Sequence, residues 1–151
     1  MNKHYIIDGN NLIGKIKSIW EVQKKDKQAS REKLAFLLDR YFIKKKTKVS
    51  LHFDGFAADA IRTSKIKIKY SDNKTADSKI KIEIDQSKNP KLIAVVSSDN
   101  SVKQYAKLNS CTVINSEEFA EEIFRKEDNN IEEVKIKDIN NEEIKRLFGV
   151  D

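Results

Sequence analysis

Apolar side chains recur along this chain in two patterns, short continuous runs and longer stretches with helical spacing. The continuous runs predict buried strands at residues 3–8, 49–54 and 92–98. The stretches between them place apolar residues three or four positions apart, as amphipathic helices do. Strands that alternate with helices are typical of an α/β/α sandwich around a mostly parallel sheet. We therefore predict a three-layer α/β fold.

The segment between the first two strands is predicted to hold two helices. Residues 9–11 should turn the chain, and apolar residues then recur at helical spacing up to Trp20. Residues 21–28 are polar and predict a loop, after which Ser30 is expected to cap a second helix. That helix should end at the lysines of residues 44–46. Its predicted apolar face consists of Leu34, Phe36, Leu37, Leu38, Tyr41 and Phe42.

Two further segments alternate apolar residues with charged ones, and the pattern has a different meaning in each. Residues 66–70 predict a half-buried strand with a basic outer face. Ile80, Ile82 and Ile84 alternate in the same way, yet Ile80 and Ile84 also lie on one helical face and Thr75 can cap. Because the next parallel strand needs a crossover connection, we predict a helix here.

The last third of the chain continues the alternation of helices and strands. Asp99 should cap a helix, residues 112–114 predict a short strand, and Ser116 should open a helix through Phe124. We predict one domain over residues 1–126. Residues 127–151 would form a charged C-terminal extension, docked as an edge strand at 134–136 and a closing helix at 141–148.

Length and cysteine content narrow the class of protein. A chain of 151 residues fits one domain and can fold without a disulfide or a structural metal. Its single cysteine, Cys111, precedes a strand and is expected to be a buried structural thiol. No apolar run approaches 18 residues, and the N-terminus leads directly into a predicted strand. We expect a protein of the reducing cytoplasm.

The net charge of +6 favours a polyanionic partner. Only five of the 30 basic residues are arginine, and for any single lysine a solvated surface is as good an interpretation as a phosphate contact. The charge therefore supports nucleic acid as a partner without identifying the residues that bind it.

Four aspartates follow predicted secondary structure in a way that points to metal chemistry. Asp8, Asp54 and Asp99 end or follow the three buried strands, and Asp77 lies at the predicted start of a helix. The carboxyl ends of parallel strands meet at one sheet edge, where ligands bind. Carboxylates that converge there repel one another unless a cation or shared protons compensate, and of the cations Mg²⁺ or Mn²⁺ prefers their oxygens. Asp8 and Asp99 could each equally cap a helix, but together with Asp77 they favour catalysis. For Asp54 a turn and a catalytic role are equally good interpretations.

Four segments around these aspartates carry a family resemblance. They are residues 8–14, 53–55, 75–80 and 97–100, and their order and spacing resemble those of the NYN, or YacP-like, nucleases within the wider PIN-like nuclease group. The resemblance implies a parallel sheet with an acidic pocket and divalent-metal-dependent cleavage of RNA. It places Asp8, Asp77 and Asp99 at the metal-site positions and Asp54 nearer the rim.

The resemblance also implies residues that contact the substrate. Asn11 and Ser98 match polar positions beside the first and last aspartates, and Arg31 stands where relatives often carry arginine. Lys79 and Lys103 follow Asp77 and Asp99 near predicted helix starts, so we predict that they bind phosphates. Single-stranded RNA is the expected substrate, and relatives of this group point to the translation machinery as a partner.

Two departures from the family pattern bear on activity. Relatives commonly have tyrosine where this chain has Asn10, and many have an acidic residue where it has Lys81. If that acid helps to bind metal in relatives, the site here would be weaker. An alternative function is therefore a catalytically weak or inactive PIN-like module that binds RNA or a ribonucleoprotein. A third class, phosphotransfer by a nucleophilic aspartate, lacks the paired aspartate that it needs beside Asp8.

Aromatic residues and histidines are expected to be mainly structural. Trp20 falls on a helical apolar face, and core packing is also the favoured interpretation for Phe56 and Tyr70. The last two flank the predicted pocket, so stacking on an unpaired base is their alternative role. His4 and His52 lie inside predicted strands and are expected to be structural rather than metal ligands.

Overall fold

A computed structural model describes the backbone of residues 2–137 and the side chains of residues 2–126. The five strands of this part of the chain are β1 (His4–Asp8), β2 (Lys48–Phe53), β3 (Ile66–Tyr70), β4 (Ile93–Val96) and β5 (Thr112–Ile114). The helices are α1 (Gly9–Ile13), α2 (Lys17–Gln23), α3 (Lys27–Phe42), α4 (Ala76–Gln86), α5 (Asn100–Leu108) and α6 (Ser116–Lys137). A short 3₁₀ turn, Pro90–Leu92, precedes β4.

The strands form one sheet in the spatial order β3-β2-β1-β4-β5, and every pairing between them is parallel. The predicted parallel α/β architecture is confirmed. β1 lies at the centre, where Ile6 and Ile7 are fully buried. Its register pairs Ile7 with Val96 and Asp8 with His52. The carboxyl ends of β1, β2 and β4 therefore reach the same edge of the sheet.

Helices cover both faces of the sheet. α4 and α5 pack on one face around a buried cluster that includes Ile80, Ile84, Val95 and Val102. On the other face, Phe42 of α3 contacts the ring of Tyr5 at a centroid distance of 5.1 Å. The apolar runs thus become strands because both of their faces are buried between helices.

The ambiguous segment after residue 74 is a helix, as predicted. Thr75 caps α4 by accepting a hydrogen bond from the backbone N–H of Ser78 at 3.1 Å. Ile80 and Ile84 are buried, whereas Ile82 is exposed, which is the pattern of one helical face. The preceding strand, β3, is also confirmed at the edge of the sheet.

The segment between β1 and β2 holds three helices where two were predicted, because the first predicted helix is interrupted after Ile13, and α3 ends at Phe42, before the predicted lysines at 44–46. Helix α1 begins at Gly9 without a preceding turn, and the predicted loop at residues 21–28 shrinks to 24–26. The cap of α3 is Asp26, whose carboxylate accepts from the N–H of Ala29 at 3.1 Å. Ser30 lies one turn inside the helix, where its buried hydroxyl donates to the carbonyl of Lys27 at 2.7 Å.

Three aromatic residues expected in the core are exposed. The exposed fractions are 42% for Trp20, 46% for Phe36 and 65% for Phe56. On α3, the buried face is narrower than predicted and runs through Leu34, Leu37, Leu38 and Phe42, which leaves Phe36 on the outer side. Trp20 instead lies beneath the ammonium of Lys24, at 5.6 Å.

The prediction for the C-terminal segment is wrong in two respects. Helix α6 runs past Phe124 to Lys137, and residues 134–136 are helical instead of forming an edge strand. No glycine or proline interrupts residues 116–137, and Glu117 and Glu118 suit the N-terminus of a helix. The predicted helix at 141–148 lies outside the described residues. The domain limits at residues 126 and 127 stay a prediction.

Every helix in the described part of the chain is too short or too polar to span a bilayer.

Candidate active site

Three of the predicted aspartates meet at the carboxyl edge of the sheet. Asp8 is the last residue of β1, Asp54 follows β2, and Asp99 lies three residues beyond β4. Burial, which leaves Asp8 only 8% exposed, raises the pKa of its carboxyl to about 6. The negative charges of Asp54 and Asp99 act in the same direction. The three carboxylates are thus close enough to repel one another, as the sequence led us to expect.

Asp8 is held in place by a residue that the sequence analysis did not select. The hydroxyl of Ser97 donates to Oδ2 of Asp8 at 2.9 Å and accepts from the backbone N–H of Asp99 at 3.1 Å. It therefore couples the first and last aspartates. The signal in the sequence is the pair of serines before Asp99, of which the family resemblance implies a role only for Ser98.

Gly9 allows the chain to leave β1 beside β2. A Cβ at this position would lie 2.6 Å from the carbonyl oxygen of His52 and 2.7 Å from the ring of Phe53. Any larger residue would push the end of β1 away from β2. The glycine after the first aspartate therefore fixes where the Asp8 carboxylate lies.

Asp54 joins the strand edge to the start of α4. Its Oδ1 accepts from the backbone N–H of Ala76 at 2.8 Å, and its own N–H donates to Oδ1 of Asn10 at 2.8 Å. The side chain thus satisfies one of the unpaired N–H groups at the N-terminus of α4. Asp77, the next residue of that helix, is thereby brought to the same side of the sheet.

Asp77 faces a lysine. Its Oδ1 is buried and has no hydrogen-bond partner, but Nζ of Lys81 lies 3.1 Å away. The same ammonium donates to the hydroxyl of Ser101 on α5 at 2.8 Å. The residue that departs from the family pattern is therefore in direct contact with one of the predicted metal ligands.

Asp99 caps α5, where its Oδ1 accepts from the N–H of Val102 at 3.2 Å. Each aspartate of the site thus has a local partner. Among the described residues, no three His, Cys, Asp or Glu side chains are placed so that they could hold one ion as they stand. The donor set is nevertheless all carboxylate oxygen, which suits Mg²⁺ or Mn²⁺. The chemical type of these side chains therefore suits such an ion.

Asn11 and Ser98 are engaged with the protein itself. Oδ1 of Asn11 accepts from the N–H of Ser98 at 2.9 Å and from the hydroxyl of Ser116 at 2.6 Å. The Ser98 hydroxyl donates to Glu117 at 2.9 Å, and Nζ of Lys15 lies 3.2 Å from the same carboxylate. These contacts hold the loop after β4. The hydrogen bonds from Ser98 and Lys15 lower the pKa of the exposed Glu117 carboxyl, a rim acid that no motif singled out.

Arg31 lies beneath the loop that carries Asp54. It is 3% exposed, and its guanidinium donates to the carbonyl of Asp54 at 2.6 Å and to that of Phe56 at 2.9 Å. The guanidinium also lies over the rings of Phe53 and Tyr70, at 5.4 and 5.2 Å. Nη1 and Nη2 are thus bound to the backbone of residues 54–56, while the buried Nε has no hydrogen-bond partner among the described residues. The structure therefore places Arg31 under the site and away from the surface.

Lys79 and Lys103 lie in the first turns of α4 and α5, beside the aspartates. Neither forms an ion pair with another described side chain. Lys79 lines a cavity of about 220 Å³ together with His52, Lys69 and Tyr70. The two ammonium groups are therefore available to an anion at this edge of the sheet.

A buried cluster beneath α4 fixes the helix to three strands. Glu83 lies 2.7 Å from Nε2 of both His4 and His52, accepts from Ser50 at 2.6 Å, and pairs with Lys69 at 3.1 Å. Burial acts to raise the pKa of Glu83, but the hydrogen bonds from the two histidines and Ser50 hold it well below its usual range. The expectation that the histidines are structural agrees with these contacts. Glu83 itself was not anticipated.

Comparisons with known proteins agree with this geometry. The family model described as the YacP-like NYN domain matches residues 5–147. The crystal structure of Rae1 (YacP) from Bacillus subtilis in its W164L mutant is similar, with a TM-score of 0.71 and 18% identity, over 94% of this chain and 89% of that one. A second crystal structure of Rae1 (YacP) from Bacillus subtilis is similar with a TM-score of 0.68 and 18% identity, over 91% of this chain and 83% of that one. No curated protein has a sequence that matches this chain.

Proposed function

We propose that this chain, which belongs to the YacP-like NYN domain family, is a divalent-metal-dependent endoribonuclease. The family is one of nucleases, so RNA is the substrate class that membership implies. The observation that carries the proposal is the convergence of Asp8, Asp54 and Asp99 at one sheet edge, with the pKa of Asp8 raised to about 6. A site that concentrates negative charge in this way is suited to a divalent cation.

We assign Asp8, Asp99 and Asp77 as the residues that would hold Mg²⁺ or Mn²⁺. Such an ion supplies charge neutralisation for the phosphate and activation of the attacking water. Asp54 has a supporting role, because its carboxylate already binds the start of α4. Ser97 orients the Asp8 carboxylate, while Asn11 and Ser98 hold the loop that delivers Asp99.

The positive charge needed to bind the RNA backbone comes from the surroundings of the acidic residues. Lys79 and Lys103 stand at the N-terminal turns of α4 and α5, where backbone N–H groups also favour anions. The net charge of +6 adds a general attraction for polyanions. Arg31 contributes indirectly by fixing the backbone of residues 54–56.

Single-stranded RNA is the form that we propose. Phe56 is 65% exposed and lies two residues beyond Asp54. An exposed ring beside the reacting phosphate can stack on an unpaired base, which a duplex does not offer. Association with the translation machinery and a cytoplasmic location stay predictions.

The test is cleavage of a mixed-sequence single-stranded RNA by the wild type, Asp8→Asn and Asp99→Asn, in Mn²⁺, Mg²⁺ or chelator. Asparagine also caps helices, so Asp99→Asn should keep α5 intact. We expect metal-dependent cleavage by the wild type and a loss of at least about 100-fold in both variants. Glu21→Gln, an exposed acid-to-amide change on α2, is the control and should cleave normally.

Two outcomes would contradict the proposal. Unchanged cleavage in both Asp8→Asn and Asp99→Asn would exclude these residues from the site. Failure of the wild type to cleave under any condition, while it still binds RNA, would favour the alternative of a catalytically inactive binding module.

A further inference from the structure

Lys81 occupies a defined position between the two helix starts that carry acidic residues. It lies one helical turn after Asp77 on α4, and its Nζ is 3.1 Å from the Asp77 carboxylate. From there it donates to Ser101 of α5, two residues after Asp99, at 2.8 Å. The ammonium therefore bridges α4 and α5 next to the proposed metal site.

Further contacts show that Lys81 is not a freely moving surface lysine. Its side chain is 30% exposed, and Nζ lies 5.5 Å from the centre of the Tyr105 ring. The hydroxyl of Tyr105 is itself hydrogen-bonded to Asp85 of α4. The ammonium is thus bound by a carboxylate, a hydroxyl and an aromatic face, on two helices.

The atom that Lys81 pairs with is the one that a metal ion would need. Oδ1 of Asp77 is buried, and Lys81 is the charged group that faces it. A divalent ion can bind this oxygen only if the Lys81 ammonium moves away or if the ion and the ammonium both contact the oxygen. Like charges at such a distance repel, so an ion at Asp77 and the ammonium in its present place oppose each other.

We propose that Lys81 is a built-in cation of the acidic site that competes with the divalent ion for Asp77. This inference rests on the proposed metal-dependent function. It assigns Lys81 as a residue that sets metal affinity: in the metal-free protein the ammonium neutralises Asp77, and metal binding has to displace it. Asp8 and Asp99 are then the carboxylates that an incoming ion meets without a competing lysine.

The test is Mn²⁺ binding to the full chain without RNA, measured by isothermal titration calorimetry and by the electron paramagnetic resonance signal of free Mn²⁺. Lys81→Met removes the charge and keeps the length of the side chain. We expect its Mn²⁺ affinity to rise about two- to fivefold, as expected when a partly exposed ion pair is released. Lys107→Met, an exposed change in the last turn of α5, makes the same change in net charge and should leave the affinity within error.

A second pair of variants isolates the partnership with Asp77. In an Asp77→Asn background, the change Lys81→Met should have no effect on Mn²⁺ affinity, because the contested carboxylate is gone. Circular dichroism of each variant shows whether it is folded. A rise that persists in the Asp77→Asn background, or one matched by Lys107→Met, would overturn the proposal.

The outcomes separate this inference from the proposed function. Equal Mn²⁺ affinity in the wild type and Lys81→Met would overturn the role of Lys81 and leave the metal-dependent nuclease standing. Absence of Mn²⁺ binding in the wild type and in every variant would overturn both.

Discussion

The substitution Asp8→Asn tests the electrostatics of the site apart from its activity. Asp8 is 8% exposed, and its carboxyl has a pKa raised from 3.8 to about 6. Asparagine has nearly the same shape, removes the charge and can still accept from the Ser97 hydroxyl through its amide oxygen. The change therefore removes the cost of a buried charge and leaves the packing of β1 in place.

The magnitude follows from the pKa. Because one pKa unit corresponds to about 1.4 kcal/mol, a rise from 3.8 to about 6 destabilises the ionised folded protein by roughly 3 kcal/mol. The folded state binds this proton more tightly than the unfolded state does. The contribution of Asp8 to the free energy of unfolding is therefore favourable below 3.8 and is lost as the pH rises through about 6.

The assay is urea unfolding with chelator at a series of pH values, followed by circular dichroism. At about pH 7.5, Asp8→Asn should be more stable than the wild type by up to about 3 kcal/mol, and the difference should vanish near about pH 4. Added Mn²⁺ should stabilise the wild type more than the variant, since a ligand that binds only the folded state raises its stability. A variant that is less stable than the wild type at about pH 7.5, with a parallel pH dependence, would refute the reasoning.

Three further substitutions test residues around the proposed metal site. Glu83→Gln should lower the free energy of unfolding by about 2–4 kcal/mol in urea, because buried donors lose their charged acceptor; an unchanged midpoint would show that the cluster is not stabilising. In Arg31→Lys the lysine cannot bind two carbonyls in the same plane, so we expect the free energy of unfolding to fall by about 1–3 kcal/mol and RNA cleavage to slow. Wild-type stability and cleavage in this variant would show that Arg31 does not hold the loop at Asp54. Phe56→Ala should weaken binding of single-stranded RNA in fluorescence anisotropy by about 1–3 kcal/mol, whereas Phe36→Ala, which removes a similarly exposed ring from α3, should not; equal losses would exclude stacking at Phe56.

The placement of the acidic residues could be predicted because it depends on local sequence and on one topological rule. Asp8, Asp54 and Asp99 each follow a run that is apolar enough to be a buried strand. In a parallel sheet, the ends of such runs share an edge whatever the order of the strands. The convergence therefore followed from the pattern alone.

The contacts of the longer side chains could not be predicted, because they depend on what tertiary packing brings next to each residue. Arg31 was expected to contact phosphate, but the carbonyls of Asp54 and Phe56 need donors and Arg31 reaches them from α3. Nothing in the sequence near Glu83 indicates that two histidines of the sheet contact it when α4 packs on the strands. Ser30 and Asp26 are both good caps, and only the true start of α3 decides between them.

The central place of β1 has a consequence for the order of assembly during synthesis. β1 is synthesised before its partner β4, from which it is separated in sequence by β2, β3 and the connecting helices. At the usual speed of translation, the interval between them is on the order of 5–20 s. During that interval Asp8 lacks the hydrogen bond from Ser97 and the neighbouring charge of Asp99, because these residues are synthesised only after β4. In a nascent chain Asp8 and Asp99 therefore stay apart, and the site is completed only after the start of α5 has been synthesised.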